Sequence, residues 1–127
     1  MIIPVVAHNS PEIRGDWTTY GADFWTVGSE ANLKFKNMVT HLLGRTNQFT
    51  GVVYRDDPAI LGWQTGNELV ISNRADRIKW LHDTAAFIKH LDPNHLEIDG
   101  RNRPWDVYEN YEEFATDPNI DVVSYHT

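Results

Sequence analysis

Apolar residues along the chain fall into short continuous runs and into stripes at helical spacing, which predicts strands that alternate with helices. Runs rich in β-branched residues are typical of strands that are covered on both faces of a parallel sheet. The first run, residues 2–7, has this composition, and with three further short segments at residues 59–63, 95–99 and 120–125 it predicts four strands.

Two longer segments between these runs have the pattern of amphipathic helices. Ser29 is a suitable N-cap for the first helix, and Ser72 or Asn73 for the second, which ends at Asp92 and Pro93. The positions predicted to be buried on these helices are Phe35, Met38, Val39, Leu42 and Leu43, then Ile78, Leu81, Ala85, Ile88 and Leu91. A third, short helix is predicted from near Asp106 up to Asp117.

The predicted order, β-α-β-α-β-α-β, is an α/β fold with a parallel sheet and right-handed crossovers. A doubly wound sheet and a (βα)8 barrel both fit this order. The first would bind a ligand where the strand order reverses, and the second would place functional residues at the C-terminal ends of its strands.

Composition and charge narrow the class of protein. The chain has 127 residues, 41% of them hydrophobic and 23% charged, which is typical of one globular domain. A net charge of −7 argues against nucleic-acid and anionic-membrane partners. There are no cysteines, which excludes disulfides and thiolate metal sites but leaves the compartment open. The N-terminal apolar run is too short for a signal core or a membrane span, and because it begins directly in a strand we expect further sequence upstream.

Polar side chains follow each predicted strand. They are His8 and Asn9, then Asn67 and Glu68, then Asp99 with residues 101–103, and finally His126. In a parallel barrel these positions meet at one face, where active sites are built. A carboxylate there can protonate a leaving oxygen at neutral pH if its surroundings raise its pKa.

Simpler interpretations apply to most of these residues. An Asn-Glu pair after a strand is a weak signal alone, and His8 and His126 could be strand-end histidines that bond to loop carbonyls. Asp99 and the neighbouring arginines are expected to form a solvated ion cluster. Four aromatic residues of the first loop could stack on sugar rings or pack over a helix, and they are Trp17, Tyr20, Phe24 and Trp25. No metal motif and no phosphate-binding glycine loop occurs, so we expect no metal and no cofactor.

Three segments, residues 35–37, 47–63 and 67–69, resemble glycoside hydrolase family 5, and its β-mannanase branch most of all. In that family a fourth barrel strand ends in Asn-Glu. The resemblance therefore implies that Glu68 is the catalytic acid/base and that Asn67 contacts the substrate. His126 matches a histidine of the family's sixth strand, so residues 1–127 would be the central portion of a (βα)8 catalytic domain, strands three to six, incomplete at both ends.

The resemblance also implies a reaction, the retaining hydrolysis of β-1,4-glycosidic bonds in a polysaccharide, most of all mannan. The nucleophile would lie outside this chain, which alone would be inactive and would have the remainder of the barrel as its partner. Asn67, His126, Trp63, His8 and Asn9 would contact the substrate. Gln64 replaces a glutamate common in mannanases, so the activity of a cellulase or of another β-glycanase is an alternative. A non-catalytic role in carbohydrate binding or as a scaffold is a second alternative. The family favours a secreted or periplasmic location.

Overall fold

A computed structural model describes residues 1–7, 23–69, 74–100 and 115–124. Two helices, α1 (Glu30–Leu43) and α2 (Arg74–Leu91), alternate with two strands, β1 (Gly62–Gln64) and β2 (Leu96–Ile98). A single 3-10 turn, Tyr54–Asp56, lies between α1 and β1. Both main helices and β2 are therefore where the sequence pattern predicts them, whereas β1 begins three residues later than the predicted strand at residues 59–63.

Helix α1 begins as predicted because Ser29 caps it. The backbone of Ser29 is extended, with φ −67° and ψ 165°, and its Oγ accepts a hydrogen bond from the Asn32 N–H at 3.1 Å. One of the free N–H groups of the first turn is thereby satisfied. The predicted cap of the second helix at Ser72 or Asn73 lies outside the described residues, as does most of the short helix predicted from Asp106.

The sheet is parallel, and strands that are neighbours in sequence are neighbours in space. β1 pairs with β2 in the register Gly62↔Leu96, Trp63↔Glu97 and Gln64↔Ile98. The predicted outer strands flank this pair through parallel bridges, two from the first strand (Ile2↔Ile60 and Val5↔Gln64) and one from the last (Ile98↔Val122). This sequential order contains no reversal among the described strands, as expected for an arc of a (βα)8 barrel.

The first strand pairs discontinuously because of Pro4. A proline has no N–H to donate to the ladder, but the Pro4 carbonyl still accepts from the Gln64 N–H at 3.0 Å. The Val6 N–H donates in turn to the Gln64 carbonyl at 3.0 Å. Residues 2–6 are therefore hydrogen-bonded along β1 on both sides of Pro4.

The core lies between the sheet and the two helices. Its largest fully buried side chains include Trp63 of β1, Phe35 of α1 and Trp80 of α2. The opposite face of the sheet carries apolar residues that are exposed, with Val5 43%, Leu96 36% and Val122 39% accessible. The sheet therefore has one covered face and one open face. No helix in the described ranges is long and apolar enough to cross a membrane.

Candidate active site

A bend directly after β1, residues 65–69 and called the turn below, carries Asn67 and Glu68, and it is fixed to both neighbouring strands. On one side the Asn67 N–H donates to the Ala7 carbonyl at 2.8 Å. On the other side the Thr65 N–H donates to the Ile98 carbonyl at 2.9 Å. The Leu69 N–H lies 3.5 Å from the Gly100 carbonyl on that same side, so the turn lies at the C-terminal end of the arc with backbone anchors to both neighbours.

Glu68 is exposed at this end of the sheet, and Asn67 beside it is half-buried. The backbone of Glu68 has φ +51°, and among the described residues it is the one non-glycine residue with a positive φ. A non-glycine residue held in this left-handed region costs on the order of 1–3 kcal/mol, and such residues cluster at functional sites. The fold therefore holds the predicted acid/base, an exposed residue at the strand end, in a strained backbone conformation.

Two glycines allow the turn to lie against the end of β2. Gly100 has φ +65°, and a Cβ at this position would lie 1.7 Å from the Gly66 carbonyl oxygen. The backbones of the two strand ends are thus in direct contact, which no residue with a side chain would permit. The fully buried side chain of Leu69 packs against Gly66, where a Cβ would lie 2.4 Å from its Cδ2.

Trp63 does not lie in the predicted cleft, and its assignment to the substrate-binding residues is wrong. Its side chain is fully buried in the core between the sheet and the helices, and its indole N–H donates to Asp92 Oδ2 at 2.6 Å. Side chains alternate between the two faces of a strand, so Trp63 points to the helices while Gln64 points to the open face.

Phe24 and Trp25, the two aromatic residues of the first loop that the structure describes, pack over the helices. Phe24 is fully buried and contacts Phe35 and Trp80, with ring centroids 5.1 and 5.4 Å apart. Trp25 meets Trp80 edge-on at 4.9 Å. These two residues join the loop to both helices. Trp17 and Tyr20 lie outside the described residues.

Asp99 is not solvated, contrary to the expectation of a solvated ion cluster, and the arginines of that cluster lie outside the described residues. It is fully buried, and its Oδ1 accepts hydrogen bonds from the Ser124 N–H and hydroxyl, each at 2.7 Å. A carboxylate that takes two donors from the next strand is a structural tie between strand ends. Sequence reasoning missed this because Ser124 is 25 residues away from Asp99. The predicted histidine and asparagine contacts, His8, Asn9 and His126, lie outside the described residues.

The chemistry available at the described site is that of one carboxylate and one amide. A carboxyl group can donate a proton to an oxygen and later accept one from water, and an amide can bond to a sugar hydroxyl. Among the described residues, no group of three or more histidine, aspartate or glutamate side chains could hold a metal ion. An arc of parallel strands with polar side chains at a strand's C-terminal end is the arrangement of the (βα)8 enzymes, which build their active sites at that end.

The chain belongs to glycoside hydrolase family 5. The family model described as "GH family 5 beta-mannosidase-like" matches residues 1–127. The chain is 34% identical over 112 residues to mannan endo-1,4-beta-mannosidase 2 of Arabidopsis thaliana, covering 72% of this chain and 26% of that protein. It is 43% identical over 65 residues to the putative mannan endo-1,4-beta-mannosidase 4 of the same plant, covering 49% and 16%.

Solved structures of mannanases share the fold. The endo-1,4-beta-mannanase of Rhizomucor miehei superposes with a TM-score of 0.83 at 28% identity, over 98% of this chain and 43% of that one. The endo-beta-1,4-mannanase of Thermotoga petrophila gives a TM-score of 0.84 at 23% identity, over 98% and 33%. The partial (βα)8 barrel predicted from the sequence is thus confirmed. The chain spans only 16% to 26% of the length of the two curated relatives described above.

Proposed function

We propose that the protein hydrolyses β-1,4-linked mannan with retention of configuration and that Glu68 is its general acid/base. The observation that carries this proposal is the exposed Glu68 carboxylate, held by a strained turn at the C-terminal end of β1 in a family 5 chain. Active sites of (βα)8 barrels lie at that end of the strands.

In this mechanism Glu68 first protonates the oxygen of the leaving sugar and then takes a proton from the water that attacks the glycosyl-enzyme, which breaks the sugar–nucleophile bond and frees the sugar. The nucleophile is a second carboxylate about 5 Å from the first. The family resemblance assigns it to a later strand, outside residues 1–127. Asn67, next to Glu68 on the turn, would bond to a sugar hydroxyl. His8, Asn9 and His126 stay predicted substrate contacts, and no cofactor takes part.

The open face of the sheet supports a larger assembly. Val5, Leu96 and Val122 leave apolar surface exposed on the side opposite to the helices, and the interior of a (βα)8 barrel is filled by such side chains. We therefore propose that residues 1–127 are the central portion of the catalytic domain and that the remaining strands cover this face. In this proposal residues 1–127 pack against the other strands of the same (βα)8 barrel.

Mannan is favoured over cellulose as the substrate by the relatives. The two curated relatives described above have mannan endo-1,4-beta-mannosidase in their names, and they include the one that covers 72% of this chain. A family 5 mannosidase of Rhizomucor miehei, 26% identical to this chain, has been solved in complex with mannosyl-fructose. These names support a β-mannoside as the ligand of the site.

The test is the dependence of the Glu68→Gln variant on the leaving group. In the full-length protein, this variant should lose mannan hydrolysis by about 100-fold or more, because general acid catalysis contributes about 10²–10⁴-fold. The first step on a dinitrophenyl β-mannobioside should be spared, because dinitrophenolate leaves without protonation. Burst kinetics of dinitrophenolate release measure that step.

Glu30→Gln is the matched control. Glu30 is an exposed glutamate in the first turn of α1 and pairs with Lys34, so its replacement should leave both substrates unaffected. Undiminished mannan hydrolysis by Glu68→Gln, or an equal loss on both substrates, would remove Glu68 from the acid/base role.

A further inference from the structure

Thr65 lies where the turn that carries Glu68 meets the end of β2. Its side chain is fully buried. Its hydroxyl lies 3.2 Å from the Ile98 carbonyl oxygen and within hydrogen-bond distance of the Asp99 carbonyl oxygen. Because the Ile98 oxygen already accepts from the Thr65 N–H at 2.9 Å, the hydroxyl proton has Asp99 as its main acceptor.

The same Asp99 is fixed on its other side by the following strand. Its N–H donates to the Val122 carbonyl at 3.2 Å, and its carboxylate accepts the two hydrogen bonds from Ser124. Thr65, Asp99 and Ser124 therefore form one buried or half-buried network across three consecutive strand ends. Fully satisfied networks of this kind are rigid in a low-dielectric interior.

The network determines where the turn can lie. Glu68 follows Thr65 by three residues, and between them Gly66 is in backbone contact with Gly100. The Asn67 N–H is bound to Ala7 on the opposite side. A change in the spacing of the ends of β1 and β2 would thus move the strained backbone of Glu68 and the carboxylate that it carries.

We propose that Thr65 is a positioning residue for Glu68, acting through its hydrogen bond to the Asp99 carbonyl. This inference rests on the proposed function of Glu68 as the acid/base. A displacement of about 1 Å of a group that acts in the transition state can cost about 100-fold in rate. Thr65 itself, being fully buried, has no contact with substrate.

The test compares Thr65→Val with Thr65→Ser in the full-length protein. Valine keeps the shape of threonine and removes the hydroxyl, whereas serine keeps the hydroxyl and removes a methyl group. Thr65→Val should lower kcat on mannan about 10- to 100-fold with KM nearly unchanged, because the loss falls on a transition-state interaction. Burst-phase release of dinitrophenolate from the β-mannobioside should fall much less, and Thr65→Ser should restore most of the turnover of mannan.

A structural role alone would lower both activities in parallel, and that result would overturn the inference, as would failure of serine to restore turnover. Glu68→Gln measured beside these variants separates the two claims. If Glu68→Gln shows the leaving-group dependence and Thr65→Val does not, only the role of Thr65 fails. If Glu68→Gln shows none, the proposed function fails.

If Thr65→Val does not fold, Ser124→Ala provides a second test of the same network. It removes the hydroxyl donor to Asp99 and leaves the backbone donor in place. A smaller loss of kcat with the same dependence on the leaving group would support the inference. Unchanged kinetics of Ser124→Ala would then overturn it.

Discussion

At the scale of single residues, Asp92 organises the join between α2 and β2. This fully buried carboxylate accepts hydrogen bonds from the indole of Trp63, the Nδ1 of His95 at 2.7 Å and the backbone N–H groups of Asn94 and His95. Burial alone would raise the pKa of Asp92, but these donors outweigh it and hold the pKa below its usual range. The Asp-Pro pair that ends the helix thereby also anchors the central strand.

Trp63→Phe tests the energetic value of this bond. Phenylalanine keeps an aromatic ring but leaves Asp92 without its indole donor, so we expect a loss of about 1–3 kcal/mol in the free energy of unfolding beyond the loss of ring area. Trp80→Phe is the matched control, because Trp80 is equally buried and its indole nitrogen has no partner among the described residues. Urea denaturation measures both variants, and equal losses would show that the bond to Asp92 contributes nothing.

Glu97 is a second buried carboxyl group with a shifted pKa. Its side chain is fully buried beside α2, and neither carboxyl oxygen has a hydrogen-bond partner among the described residues. Burial raises the pKa of Glu97 to about 10, and Lys89 opposes the shift. The negative charges of three nearby carboxylates raise the pKa of Glu97 further, and these are Asp121, Asp92 and Asp99. Glu97 therefore stays protonated in the folded protein at neutral pH.

The sign of the pH effect follows from linkage. Above about pH 4.5 the unfolded chain releases the Glu97 proton while the folded chain keeps it, so the contribution of this proton to stability is complete below that pH and is lost as the pH rises towards about 10. The slope has an upper limit of ~1.4 kcal/mol per pH unit. Glu97→Gln, which is neutral at every pH, should flatten the decline of unfolding free energy between about pH 5 and 9.

Chemical denaturation across this range, with Glu30→Gln as the exposed control, checks the prediction. The pKa of Glu30 is lowered by its hydrogen bond with Lys34, so this control should keep the slope of the parent protein. A Glu97→Gln variant with an unchanged slope would contradict a buried, protonated Glu97.

At the scale of secondary-structure elements, local signals predicted the helices well. Ser29, the helical spacing of Phe35 and Val39, and the stop at Asp92 all act within a few residues, and the structure has each of them in the predicted place. Trp80 escaped prediction although it is fully buried. It belongs to the aromatic cluster with Phe24 and Trp25, and that contact depends on tertiary packing that a helical stripe does not encode.

The cap of α1 gives the prediction at this scale. Ser29→Ala removes the acceptor of the Asn32 N–H and the donor to the Asp23 carbonyl. We expect the free energy of unfolding to fall by about 1 kcal/mol, whereas Ser29→Gly should cost only a few tenths of a kcal/mol. Thermal or urea unfolding compares the two variants, and an alanine variant as stable as the glycine variant would deny the capping role.

At the scale of the whole molecule, the strand order places the candidate site. The alternation of strands and helices predicted a parallel sheet, and the position of Glu68 after a strand predicted its place at the C-terminal end. The side-chain ties of that end were not predictable, because Thr65 and Asp99 are 34 residues apart and Trp63 and Asp92 are 29 apart. Such pairs form only when the sheet is assembled. The same assembly turns Trp63 away from the cleft.

The retaining mechanism with Glu68 as acid/base is tested most directly by azide rescue of Glu68→Ala in the full-length protein. Without a base, water attacks the glycosyl-enzyme slowly, whereas azide needs no deprotonation. We predict that azide accelerates turnover of dinitrophenyl β-mannobioside and that the product is the β-configured mannobiosyl azide, identified by NMR. An α-configured azide would instead assign Glu68 as the nucleophile, and the absence of any azide product would contradict the catalytic role of Glu68.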